Sequence, residues 1–435
     1  MVDDDPGILR AVAWTEVLPW LRISRAFRLA ISGRVLVLAA LAAAITLSGW
    51  ALFHWMFSGA PEAVEWMGPS ASCPWVVVDQ MVPNEPSLPW DRPGTDPEDV
   101  LGQKAVPPVR DAFFSSWWQL LQPFWQSLEL DRGLTGLACL ALCGVWSLAT
   151  WAFFGGAITR IAALELSCEE RIGFMPSLRY ACGKWLSFIA APLFPVFGIA
   201  LAAIPVALLG LLVRFDVGLL LIGVAWPVAL LAGLIMAVLG LGLMFGWPLM
   251  FATISTEGTD AFDALSRSYA YVFQRPLRYL FYAIVAAFIG TLSWLLVSNF
   301  AAGVVGMTYW AASWGAGADR VTQIIDGEPA LSAIGNAGTL CVQFWVGTVK
   351  IIALGFLYGF FFCASTAIYL LLRRDVDATE IDEVFLDEDE SEQQYGLPPL
   401  AVDEAGAPVA EEDAQQSKEE SDAQATEAER PPSGA

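Results

Sequence analysis

Residues 351–372 read IIALGFLYGFFFCASTAIYLLL, a run of 22 positions without a charged side chain. About 20 such residues, at 1.5 Å each, cross the hydrocarbon core of a bilayer. The run predicts a transmembrane helix and forms most of a longer apolar segment, 343–372. Five similar segments precede it, over about 35–57, 133–156, 185–213, 228–251 and 276–302. Of 435 residues, 56% are hydrophobic and 16% charged, whereas a soluble domain carries roughly 25% charged residues. The fold class that follows is all-α. It is a polytopic membrane helix bundle of six transmembrane helices, with cytosolic interfacial amphipathic helices and a disordered acidic C-terminal tail.

Charge orients the bundle. Arg10, Arg22, Arg25, Arg28 and Arg34 precede the first span, four basic residues lie in 157–184, three in 252–278, and Arg373 and Arg374 follow the sixth. Positive residues mark the cytosolic side, so both termini are expected there, and the chain is expected to be a multi-pass protein of the plasma membrane. The expected organisation is a cytosolic N-terminal segment (1–34), a six-span domain (35–372) with an external loop over 58–132, and a tail (373–435). That loop has ten prolines between Pro61 and Pro108, which disfavour regular structure. Its end, from Phe113 to Trp125, is aromatic and predicts a helix lying in the outer interface.

The formal charge of −22 belongs mostly to the tail. Residues 375–435 hold 20 acids and two bases, −18, leaving −4 for the rest. An acidic tail repels nucleic acid and anionic lipid. Within it Ile381, Val384, Phe385 and Leu386 form an apolar cluster, the candidate docking segment for a membrane or cytosolic protein partner.

Three cytosolic segments share a pattern: Ser24-Arg25-Ala26-Phe27, Ser177-Leu178-Arg179-Tyr180-Ala181 and Ser266-Arg267-Ser268-Tyr269-Ala270. Each belongs to an amphipathic helix whose apolar face, carried by Phe27, by Phe174, and by Phe262, Leu265 and Tyr269, is predicted to lie in the inner interface. A basic residue, Arg34, Lys184 or Arg278, then stands near the start of a span. Three parallel units follow, in which spans one, three and five leave the interfacial helices and spans two, four and six return. The third segment, from Glu257-Gly258 to Ser266-Arg267-Ser268-Tyr269, resembles a loop of poorly characterised bacterial six-span membrane proteins, among them the membrane domain that accompanies some glycerophosphodiester phosphodiesterases. The resemblance covers about residues 130–300. It implies the six-span fold and no catalytic residue, since the phosphodiesterase chemistry of such fusions sits in a separate soluble domain.

Reactive chemistry is sparse. His54 is the single histidine, the seven cysteines lack paired CxxC spacing, and no nucleotide-binding or hydrolase motif stands in a supporting context. No cofactor or metal is expected, and the chain is not expected to be an enzyme. Lys350, at the edge of the sixth segment, is expected to snorkel to the outer interface. Glu165, Glu169 and Glu170 are expected on a solvated loop face, and Cys73 and Cys341 are the external cysteines that could pair. Prolines and glycines in the third and fourth spans predict interrupted helices, while Gly242-x-x-x-Gly246 and Gly355-x-x-x-Gly359 predict close packing faces. Two functions remain open, a non-enzymatic scaffold or accessory protein and a permease for lipid or a small apolar solute. A solid bundle favours the first and a central water-filled cavity the second.

Overall fold

The computed structural model describes residues 18–59, 112–128, 133–169, 171–326 and 332–386, and the regular structure among them is helical. Cys73, most of the proline-rich loop and the tail beyond Leu386 lie outside the described residues. Among the described residues six helices are long and apolar enough to cross a membrane. They are α2 (Gly33–Met56), α4 (Leu134–Ser167), α6 (Trp185–Leu212), α7 (Asp216–Glu257), α9 (Pro276–Ala316) and α11 (Ala333–Asp377). Shorter helices are α1 (Arg25–Ile31), α3 (Ala112–Ser127), α5 (Phe174–Gly183), α8 (Ala261–Gln274) and α10 (Ala318–Asp326). The architecture is that of a multi-pass membrane protein.

The fold is organised around α11, which packs against α2, α4, α7 and α9. In its most apolar window 89% of residues are buried, against 6–39% in the other five spans. A helix that is apolar on every side has no face to give to water, and it belongs in a core or in lipid. Phe356, Phe360, Phe361 and Phe362 are fully buried around its circumference. The Phe362 ring stacks on Trp151 of α4 at 5.4 Å, and Phe361 meets Trp247 of α7 at 5.3 Å. On another side a Cβ at Gly355 would stand 2.6 Å from the Ala40 backbone nitrogen, and one at Gly359 3.0 Å from Val35. This is the close approach of α2 that the glycine spacing predicts.

The prolines do not break their helices. α6 runs through Pro192, Pro195 and Pro205, and α7 through Pro227 and Pro248. The helix of the fourth span therefore starts at Asp216, ahead of the expected start at 228. Each proline removes one helical hydrogen bond but leaves the apolar run continuous, and neighbouring groups can satisfy the carbonyl it frees.

The inserted position of α3 departs from the expected helix along the outer interface. Its Phe113 ring lies 5.3 Å from Phe361, its fully buried Ser116 donates to the Leu357 carbonyl, and Gln119 accepts from the Tyr358 hydroxyl at 2.8 Å. Residues 113–119 thus lie against 357–361, the middle of the predicted sixth span. An aromatic stripe is equally suited to lipid and to protein; the polar groups at 116 and 119, satisfied on α11, select protein.

Each of α1, α5 and α8 precedes a span, separated from it by one residue: Ser32, Lys184 or Arg275. Each also buries a pair of small residues one turn apart, Ala26 and Ala30, Ser177 and Ala181, Ala264 and Ser268. Small side chains let a helix backbone approach closely, so each of the three has a face that packs tightly on the bundle.

Candidate functional site

The starts of α2, α6 and α9 and the ends of α4, α7 and α11 gather at one end of the bundle, the proximal end. Ion pairs and hydrogen bonds join these elements in three groups.

The first group surrounds Glu257, the last residue of α7, whose side chain is 12% exposed. Arg267 of α8 places Nη1 2.7 Å from Oε2, while Tyr369 of α11 donates to Oε1 at 2.5 Å and Arg373 Nε stands 3.9 Å away. Burial alone would lower the Arg267 pKa, but the Glu257 and Asp263 carboxylates outweigh it and raise it. Tyr271 of α8 donates to Asp377, and burial followed by that carboxylate holds its phenol above the usual tyrosine range. On α9, Arg278 pairs with Asp375 at 2.9 Å, and Tyr282 donates to the same carboxylate oxygen at 3.0 Å. The last two turns of α11 are thereby fastened to α7, α8 and α9.

The second group caps α7. Helices end with unpaired carbonyls and a partial negative charge. Three of the carbonyls near this end, at Ile254, Ser255 and Gly258, accept from Tyr180 at 2.5 Å, Arg160 at 2.7 Å and Lys184 at 2.6 Å. Gly258, at φ 65°, supplies the left-handed turn that ends the helix. Arg160 is fully buried, with its guanidinium 4.3 Å over the Tyr180 ring.

The third group ties the N-terminal unit down. Arg34 pairs with Glu165 at 3.1 Å and donates to the Ile172 carbonyl, and Arg25 pairs with Glu169 at 2.9 Å. Glu165, expected on a solvated face, has a side chain only 11% exposed. α4 runs past its expected end at 156, which carries Arg160 and Glu165 onto packed helix.

The predicted interfacial faces mostly meet protein. Phe27 sets its ring edge-on to Phe356 at 6.0 Å, and Phe174 and Leu265 pack half-buried against the core. Tyr269 lies over Gly242, where a Cβ would stand 2.1 Å from its ring, and donates to the Leu239 carbonyl at 2.6 Å. Phe262 is the outward member, 68% exposed. Amphipathicity marks an apolar face without saying whether lipid or a neighbouring helix covers it. Lys350 is buried inside the protein and does not snorkel.

The predicted docking cluster is divided. Ile381 is 8% exposed and belongs to the core, the Cys168 thiol lies 3.5 Å from the Asp382 carbonyl, and Arg373 donates to the Glu383 carbonyl. Val384 is half-buried, Phe385 is exposed and Leu386 is half-buried. Cys341 is exposed, and its pairing with Cys73 concerns a residue outside those described.

Sequence reasoning missed Arg160, Tyr271 and Tyr369, and took Tyr180 only as part of a recurring helical pattern. Arg160 carried a signal, as the single charged residue between Leu134 and Ala163; Tyr271 and Tyr369 carried none. Chemically the arrangement pairs opposite charges and caps helix ends. Among the described residues no three His, Cys, Asp or Glu side chains are grouped to hold a metal ion. No protein family, curated protein or solved structure gives a match to the chain.

Proposed function

We propose that this protein is a non-enzymatic membrane scaffold or accessory protein, with both termini in the cytosol and the plasma membrane as its site. The observation that carries the proposal is the position of α11. Its phenylalanines fill the centre of the bundle, where a permease would keep a cavity for its solute, and 89% of its most apolar stretch is buried. The ionisable groups at the proximal end are directed at one another, an arrangement suited to fixing helices.

Partner recognition is assigned to the acidic arm that follows Val384, starting with Phe385 and Leu386, since Ile381 is committed to the core. Tethering to a bilayer raises the effective concentration of such an arm for any partner in that membrane. Residues 378–384 serve as its anchor.

The test is affinity purification from native membranes of the full chain and of a chain ending at Leu386, together with Phe385→Ser/Leu386→Ser in the full chain. Both variants should insert normally and lose a stoichiometric partner. Partner retention by both, with lipid or solute flux through purified protein in liposomes, would replace the scaffold reading with the permease.

A further inference from the structure

Among α3, α7, α8 and α9 lies an apolar cleft of about 240 Å³. Phe113, Val272, Tyr279 and Ala283 form its buried floor, at 3%, 6%, 8% and 4% exposure, while Leu241 and Leu280 stand half-exposed at its mouth. The walls are fixed by hydrogen bonds. Trp117 of α3 donates from Nε1 to the Met244 carbonyl at 2.8 Å, and Tyr279 of α9 donates to the Phe245 carbonyl at 2.8 Å. The Trp117 and Phe245 rings stack at 5.6 Å between them. Such a cavity is preformed, and it is larger than the roughly 150 Å³ apolar cavity that admits benzene.

Its position identifies the occupant. The α9 side of the lining comes from the first two turns of a span, Pro276 to Ala283, and the α7 side from Leu241 and Phe245 well inside the fourth span, so the cleft reaches from the end of one span into the acyl-chain depth of a leaflet. Arg275, exposed and in no ion pair among the described residues, directly precedes Pro276 of the lining. We propose that the cleft binds one acyl chain of an anionic phospholipid from the surrounding bilayer, with its headgroup phosphate on the Arg275 guanidinium. Lipid and protein interior are equally apolar, so the chain is held by close packing in a preformed slot, and the cation favours a headgroup of net negative charge. This site is independent of the acidic arm and of the scaffold reading.

Full-length protein in detergent is titrated with phosphatidylglycerol or phosphatidylcholine of matched chains, and retained lipid is counted by native mass spectrometry. One phosphatidylglycerol should be retained in preference to phosphatidylcholine. Arg275→Gln should weaken phosphatidylglycerol about fivefold, the loss of one interfacial cation, and weaken phosphatidylcholine less, since its choline offsets the charge on the same phosphate. Leu280→Trp, which fills the mouth from a half-exposed position, should weaken both while leaving the melting temperature near that of the wild type. Glycerol 3-phosphate should not displace the lipid. Undiminished retention in Leu280→Trp, displacement by glycerol 3-phosphate, or a dimer that excludes lipid would overturn the proposal.

Discussion

The indole Nε1 of Trp117 donates to the backbone carbonyl of Met244 at 2.8 Å, the carbonyl that Pro248, four residues on, has no N–H to satisfy. An orphaned carbonyl is costly at membrane depth, and the inserted helix α3 supplies the missing donor. Trp117→Phe should therefore destabilise the protein by about 1–3 kcal/mol, the penalty of a buried unsatisfied group. Pro248→Ala returns an N–H to α7, so the double variant should recover much of that loss. Thermal unfolding of the four proteins in detergent measures the coupling, and simple additivity would refute the link.

Glu257 and Arg267 pair at 2.7 Å but differ in burial, with side chains 12% and 42% exposed. Glu257→Ala leaves Arg373, 7% exposed, facing a lost carboxylate, and should cost about 3 kcal/mol. Arg267→Gln removes a more solvated partner and should cost at most about 1 kcal/mol. Equal losses in chemical denaturation would mean that Arg267 has a further role.

Gly355→Ala directs a methyl group at the Ala40 backbone, 2.6 Å away. Backbone cannot rotate aside, so α2 must shift, at about 1–3 kcal/mol. Gly233 has nothing within 4 Å of the same position, and Gly233→Ala should be neutral or slightly stabilising because alanine favours helix. A melting temperature lowered equally by both would argue against close packing of α2 on α11.

Orientation can be read from two exposed cysteines, Cys341 near the start of α11 and Cys182 at the end of α5. With cytosolic termini, a membrane-impermeant thiol reagent should label Cys341 on intact cells and Cys182 only after permeabilisation. Surface labelling of Cys182 in a Cys341→Ser chain would invert the topology.

Much of the fold was legible in the sequence. Apolar runs of span length located the six long helices, because a bilayer obliges each crossing segment to satisfy its own backbone hydrogen bonds. Amphipathic periodicity located α1, α5 and α8, and Gly355-x-x-x-Gly359 located the face that meets α2. These signals are local, since each depends on residues within a few turns of one another. The proximal site was legible only in pieces: Glu257, Arg267 and Arg34 stood out as charges, while Tyr271, Tyr369 and Tyr180 did not, because their partners are 106, 112 and 74 residues away.

Only the tertiary structure decided which span occupies the centre. α6 has a mean hydropathy of 2.4 with 6% of its window buried, while α11 has 2.0 with 89% buried. Hydropathy measures transfer out of water, and lipid and protein interior score alike on that scale. Burial among helices is settled instead by shape and by polar groups: the Gly355 and Gly359 face that admits α2, the phenylalanines that fit between α4 and α7, and the carbonyl at Met244 that draws α3 inward.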